Sequence, residues 1–117
     1  MKKLNIIKKQ EEINNVIKNG KLLKNKFFFL YYIENKTKYY RFCICVSKKL
    51  GNAVVRNKNK RQIKDIIDKS NLIFKSDFDY VIILRKEISN ISYDDKKKYL
   101  LDLLCKLEGE KNETKKN

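Results

Sequence analysis

Two apolar runs constrain this chain more than anything else in it. Residues 27–33 are aromatic or aliphatic at every position, so a strand there must be covered on both faces. Residues 39–46 alternate instead. Tyr40, Phe42, Ile44 and Val46 fall on one side, and Tyr39, Arg41, Cys43 and Cys45 on the other. The polar residues 34–38 between the runs predict a hairpin loop. A third run, 80–85, reads as a short buried strand reached through a loop that contains Lys75 and Asp77.

Strands this apolar need helices to cover them, and three helices are predicted. Ile13, Val16 and Ile17 keep i, i+3, i+4 spacing in a helix over 8–19, with Gly20 as its stop. Gly51 turns the chain and Asn52 caps a second helix that continues to about Asp68. A third opens at Ser92, with Asp95 three residues on as in a capping box. Its stripe is Leu100, Leu103, Leu104 and Leu107, and Gly109 is the expected end. The order helix-strand-strand-helix-strand-helix defines an α+β fold, a small mixed sheet packed with three helices and containing one strand–helix–strand crossover. At 117 residues one domain is expected, over 1–109, followed by a disordered polar tail over 110–117.

Charge narrows the partners. Lys and Arg number 29 against 14 acids, a formal charge of +15, and self-repulsion on that scale favours a polyanionic partner. Only four of the cations are arginine, and Arg56 and Arg61 share one short run. Arginine holds a phosphate with a planar fork of donors, which lysine lacks. A membrane partner fits poorly, because no apolar run is long enough to span and no helix sets a basic face against a broad apolar one. With no secretory signal at residues 1–9, the chain is expected to be cytoplasmic.

The residue inventory argues against chemistry in the chain itself. It has no histidine, which removes histidine triads, histidine bases and most zinc sites. Cys43, Cys45 and Cys105 lack CxxC spacing and read as reduced, buried thiols. The close carboxylate pairs, Asp77 with Asp79 and Asp94 with Asp95, suit loop solubility and helix capping. Three glycines in total leave no phosphate-cradling loop. No catalytic residue, metal ligand or bound cofactor is expected.

The informative segment is Ser47-Lys48-Lys49-Leu50-Gly51-Asn52-Ala53-Val54-Val55-Arg56-Asn57-Lys58-Asn59-Lys60-Arg61-Gln62-Ile63-Lys64. At about 100° per residue, Ile63, Ile66 and Ile67 form a core stripe. Arg56, Asn57, Lys60, Arg61 and Lys64 form a ridge on the adjoining face, with Lys58 further round. A merely solvated helix would interleave acids at i, i+4. This ridge itself contains almost no acid, and a basic ridge beside a buried stripe suits a helix pressed onto a phosphate backbone.

This segment resembles the signature of the bacterial ribonuclease P protein subunit, an Arg-Asn-Arg type helix with a following Lys-Arg, and the resemblance extends from about Leu4 to Leu107. It implies a protein that pairs with a large catalytic RNA and assists removal of the 5′ leader from precursor tRNA, with catalysis and Mg2+ belonging to the RNA. It implies that Lys48, Lys49, Arg56, Asn57, Lys58, Lys60, Arg61 and Lys64 meet RNA. It also implies a leader cleft lined by Ile13, Ile17, Phe28, Tyr31 and Arg85, and a left-handed crossover. Three departures stand out. Lys58 replaces an arginine, Asn59 an apolar residue, and Ile13 and Ile17 stand where phenylalanine is common. Expected partners are the catalytic RNA and precursor tRNA, with no protein partner. The alternative class is a ribosomal or other structural RNA-binding protein, which has no reason to carry the 47–64 segment.

Overall fold

The computed structural model describes residues 5–70 and 77–116; Lys75 of the expected loop lies outside them. The elements run α1 (Gln10–Asn19), β1 (Lys21–Lys24), β2 (Phe28–Glu34), β3 (Arg41–Val46), α2 (Ala53–Lys69), β4 (Phe78–Leu84) and α3 (Tyr93–Lys116). The three helices and mixed sheet are those expected, with β1 as a fourth strand. β1 escapes a sequence reading because it is mostly exposed and joins through backbone pairing with β2.

Strand order is β1-β2-β4-β3. The predicted hairpin between the first two apolar runs does not form. β2 and β3 flank β4 instead, β2 antiparallel to it and β3 parallel to it. The reason is visible in burial. Tyr80, Val81, Ile82 and Leu84 are all buried, so β4 needs neighbours on both edges and helices on both faces. The crossover β3-α2-β4 lays it beside β3, and β3, with its alternating pattern, takes the sheet edge.

One face carries Phe28, Leu30, Tyr32, Phe42, Ile44, Tyr80, Ile82 and Leu84 against Ile63, Ile66 and Ile67 of α2 and the leucine stripe of α3. The other face carries Val81 under Ile13 and Val16 of α1. Gly20 lets α1 meet β2 closely, since a Cβ there would lie 2.4 Å from the Val16 carbonyl oxygen and 2.7 Å from that of Tyr32. At the other end, α3 passes the stop expected at Gly109 and continues to Lys116. A glycine inside a helix costs only about 1 kcal/mol, and Glu108, Glu110 and Lys111 around it are good helix formers.

Asp79 corrects the reading of the Asp77–Asp79 pair as loop solubility. It lies in β4, is 5% exposed, and is bound in bidentate fashion by Arg41, Nε to Oδ1 at 2.9 Å and Nη2 to Oδ2 at 2.7 Å. Asn35 donates to Oδ1 at 2.7 Å. Arg41 Nη2 also reaches Glu12 of α1 at 2.6 Å, so one guanidinium ties α1 to the sheet.

Candidate nucleic-acid interface

The start of α2 is built by three local devices. Ser47 Oγ accepts from the Lys49 amide at 3.1 Å and supports a single 3-10 turn over Lys48–Leu50. Gly51 follows with φ 149°, a conformation that disfavours side chains. Asn52 Oδ1 then accepts from the Val55 amide at 3.0 Å, the expected N-cap. Exposed Lys48 and Lys49 therefore sit beside the positive end of the helix.

Along α2, Ile63, Ile66 and Ile67 are buried as the wheel requires. Asn57, Lys60, Arg61 and Lys64 line one shallow depression with Val54, which is 74% exposed. Arg56 stands where this ridge meets the core stripe. It is half-buried, and its Nε is buried with no hydrogen-bond partner among the described residues. Lys58 is exposed on another side. Among the described residues no carboxylate pairs with Arg56, Lys58, Lys60, Arg61 or Lys64. Asp65, the nearest acid in sequence, is engaged by the Tyr93 hydroxyl at 2.7 Å and Lys69 at 3.2 Å. Those two contacts, the hydroxyl foremost, hold its carboxyl below the usual range. Among the described residues the ridge cations therefore have no ion-pair partner.

Asn59, which stands where an apolar residue is common, is buried and hydrogen-bonded. It is 3% exposed; its Nδ2 donates to the Val55 carbonyl at 3.0 Å and its Oδ1 accepts from Lys96 Nζ of α3 at 2.8 Å. Gln62 Oε1 accepts from the same ammonium at 2.7 Å. Burial, and secondarily the charge of Lys58, pulls the Lys96 pKa down. Asn59→Ala is expected to lower stability by about 1–3 kcal/mol, because the buried Lys96 ammonium loses one of its two acceptors. An Asn59→Leu, Lys96→Met pair should recover most of that loss in urea unfolding, since both polar groups are then gone.

The α1 face of the sheet forms the second surface. α1 fully buries Val81 but leaves Phe29, Tyr31, Ile83 and Cys45 half-exposed. Phe29, Ile83 and Cys45 lie in register across β2, β4 and β3. Arg85 caps this row, its guanidinium 4.8 Å from the Phe29 ring centroid and Nη1 donating to the Asn25 carbonyl at 3.1 Å. Ile17 borders it from α1, half-buried. Two expected members are placed otherwise. Phe28 is 0% exposed on the opposite face, inside the α2–α3 core. Ile13 is 8% exposed, packed beneath α1 rather than lining an opening. Phe29 takes the place expected of Phe28. Strand period reveals it, because 29 and 31 share a face and 28 and 31 cannot.

A basic ridge beside a half-exposed aromatic sheet surface, on a four-stranded α+β core, is the surface expected of a small RNA-binding protein. The ribonuclease P family model matches residues 1–108. The ribonuclease P protein component of Streptococcus pneumoniae is 38% identical over 104 residues, 89% of this chain and 85% of the relative. The solved ribonuclease P protein of Staphylococcus aureus is 33% identical with TM-score 0.76, covering 86% of this chain and 92% of that one. That of Thermotoga maritima is 30% identical with TM-score 0.75, covering 84% and 93%. This chain belongs to the ribonuclease P protein family, and its role is that of the protein subunit in tRNA 5′ maturation.

Proposed function

We propose that α2 grips the catalytic RNA of ribonuclease P while the α1 face of the sheet receives the single-stranded leader of precursor tRNA. The observation that carries this is the ridge of Arg56, Asn57, Lys60, Arg61 and Lys64, held on a capped helix and free of neutralising acids among the described residues. Phosphates contribute affinity at such a surface without sequence readout, so the helix serves to position the RNA. Lys48 and Lys49 extend the positive field toward the leader.

The sheet surface suits an unpaired strand. Phe29 and Tyr31 offer ring faces for bases or sugars, and Arg85 and Lys60 offer charge for phosphates. Ile17 packs against the leader but does not stack on it. Catalytic groups and Mg2+ belong to the RNA, which leaves this chain the work of holding two RNA segments in register.

Tyr31→Ala is expected to weaken binding of precursor tRNA more than that of mature tRNA, by about 1–3 kcal/mol for the missing stacking. Filter binding with the assembled ribonucleoprotein reads the difference. Equal losses for both RNAs would remove Tyr31 from the leader path. The overall role is tested by rescue of 5′ cleavage at low magnesium when the protein is added to the RNA subunit.

A further inference from the structure

Cys43 and Cys45 are given no contact of their own in that role, although Cys45 borders the sheet surface, and their sulfurs are placed together. They occupy alternate positions of β3 and face the α1 side, with sulfurs 3.6 Å apart and both residues half-exposed. The third thiol, Cys105, stands alone and exposed on α3. Lys60 reaches toward the pair from α2 and lends it positive charge.

We propose that Cys43 and Cys45 are a redox-active dithiol, closed into an intrachain disulfide by a two-electron oxidant of the hydrogen peroxide class. Cys45 is the attacking sulfur. A hydrogen bond from Cys43, opposed by burial and reinforced by Lys60, holds the Cys45 thiol below the ordinary range. The same interaction, with burial, pushes Cys43 up. The Cys45 thiolate attacks one peroxide oxygen, the O–O bond breaks, and hydroxide leaves to take up a proton as water. Cys45 is then a sulfenic acid. Cys43 attacks that sulfur, the S–O bond breaks, and the departing hydroxide takes the Cys43 proton. Two thiols and one peroxide yield one disulfide and two waters. The sulfurs give up two electrons and the peroxide accepts them.

The backbone sets the character of the bond. Same-face neighbours on a strand lie about 6.4–6.8 Å apart, the upper end of the roughly 4.4–6.8 Å that disulfides span. Closure strains the bond and makes it easily reduced. β3 is a sheet edge, where a strand bends at lowest cost. Oxidation would therefore reshape the row Phe29–Ile83–Cys45 reversibly.

The test uses the full chain carrying Cys105→Ser, so that only the pair reports. After hydrogen peroxide, intact mass is expected to fall by two hydrogens per chain, with both thiols consumed together and both restored by dithiothreitol. In the same background Cys43→Ser should stop at an oxygen adduct on Cys45 that a 1,3-diketone traps. Circular dichroism confirms that each variant is folded. Gain of oxygen, or disulfide-linked dimers, in place of the two-hydrogen loss would overturn the proposal.

Discussion

The Arg56→Ala, Arg61→Ala double variant is expected to lose affinity for the catalytic RNA by about 1–3 kcal/mol for each arginine removed, with a shallower dependence on salt. Each phosphate that is no longer neutralised should reduce the slope of log K against log salt by about 0.7–0.9. The two positions differ in what they risk. Arg61 is exposed in the depression, so its removal is felt at the RNA alone. Arg56 is half-buried, with its Nε buried, so its removal also risks packing. Arg61→Ala is therefore the cleaner single variant, and Arg61→Lys should restore charge but not the bidentate fork. Binding titrations across salt concentrations, with unfolding midpoints as control, separate the effects. Unchanged affinity and slope in a folded double variant would take α2 out of the interface.

The ridge is legible in sequence because helix period depends only on local spacing. Residues three and four apart share a face whatever the rest of the chain does, so Ile63, Ile66 and Ile67 fall inward and Arg61 and Lys64 beside them. The sheet is less legible. Alternation along residues 39–46 identifies two faces of a strand, but it carries no information about which strand lies alongside. The order β1-β2-β4-β3 follows from the crossover and from the need of β4 for cover on all sides. Phe28 is misplaced by sequence for a different reason. A run apolar at every position hides its own phase, and only pairing across the sheet separates 28 from 29. Asn59 and Lys96 are 37 positions apart, and their hydrogen bond depends on how α2 and α3 pack. The sequence marks Asn59 only as a polar residue where an apolar one is common.

Arg41 is the second position where a large effect is expected, and it acts on the fold. Replacing Arg41 with alanine should lower stability by about 3–5 kcal/mol, the range for breaking a buried ion pair. The loss arises from Asp79, which is 5% exposed in the intact chain and would keep Asn35 as a side-chain donor but no cation to balance it. The attraction is mutual: Asp79 foremost, with Glu12, raises the Arg41 pKa above the ordinary guanidinium value. A domain with only about 5–15 kcal/mol in reserve should show this as a large drop in urea midpoint. Arg41→Leu combined with Asp79→Val should lose much less than the sum of the singles, because no charge is left unpaired. If the double change cost as much as both singles together, the pair would not be coupled as its geometry implies. The same guanidinium reaches Glu12, so Arg41→Ala also removes the ion pair that ties α1 to the sheet and leaves α1 held by Ile13 and Val16. Where the variant is still folded, leader affinity should fall while binding through the α2 ridge is retained, since α1 borders the sheet surface and α2 is anchored separately by Ile63, Ile66 and Ile67.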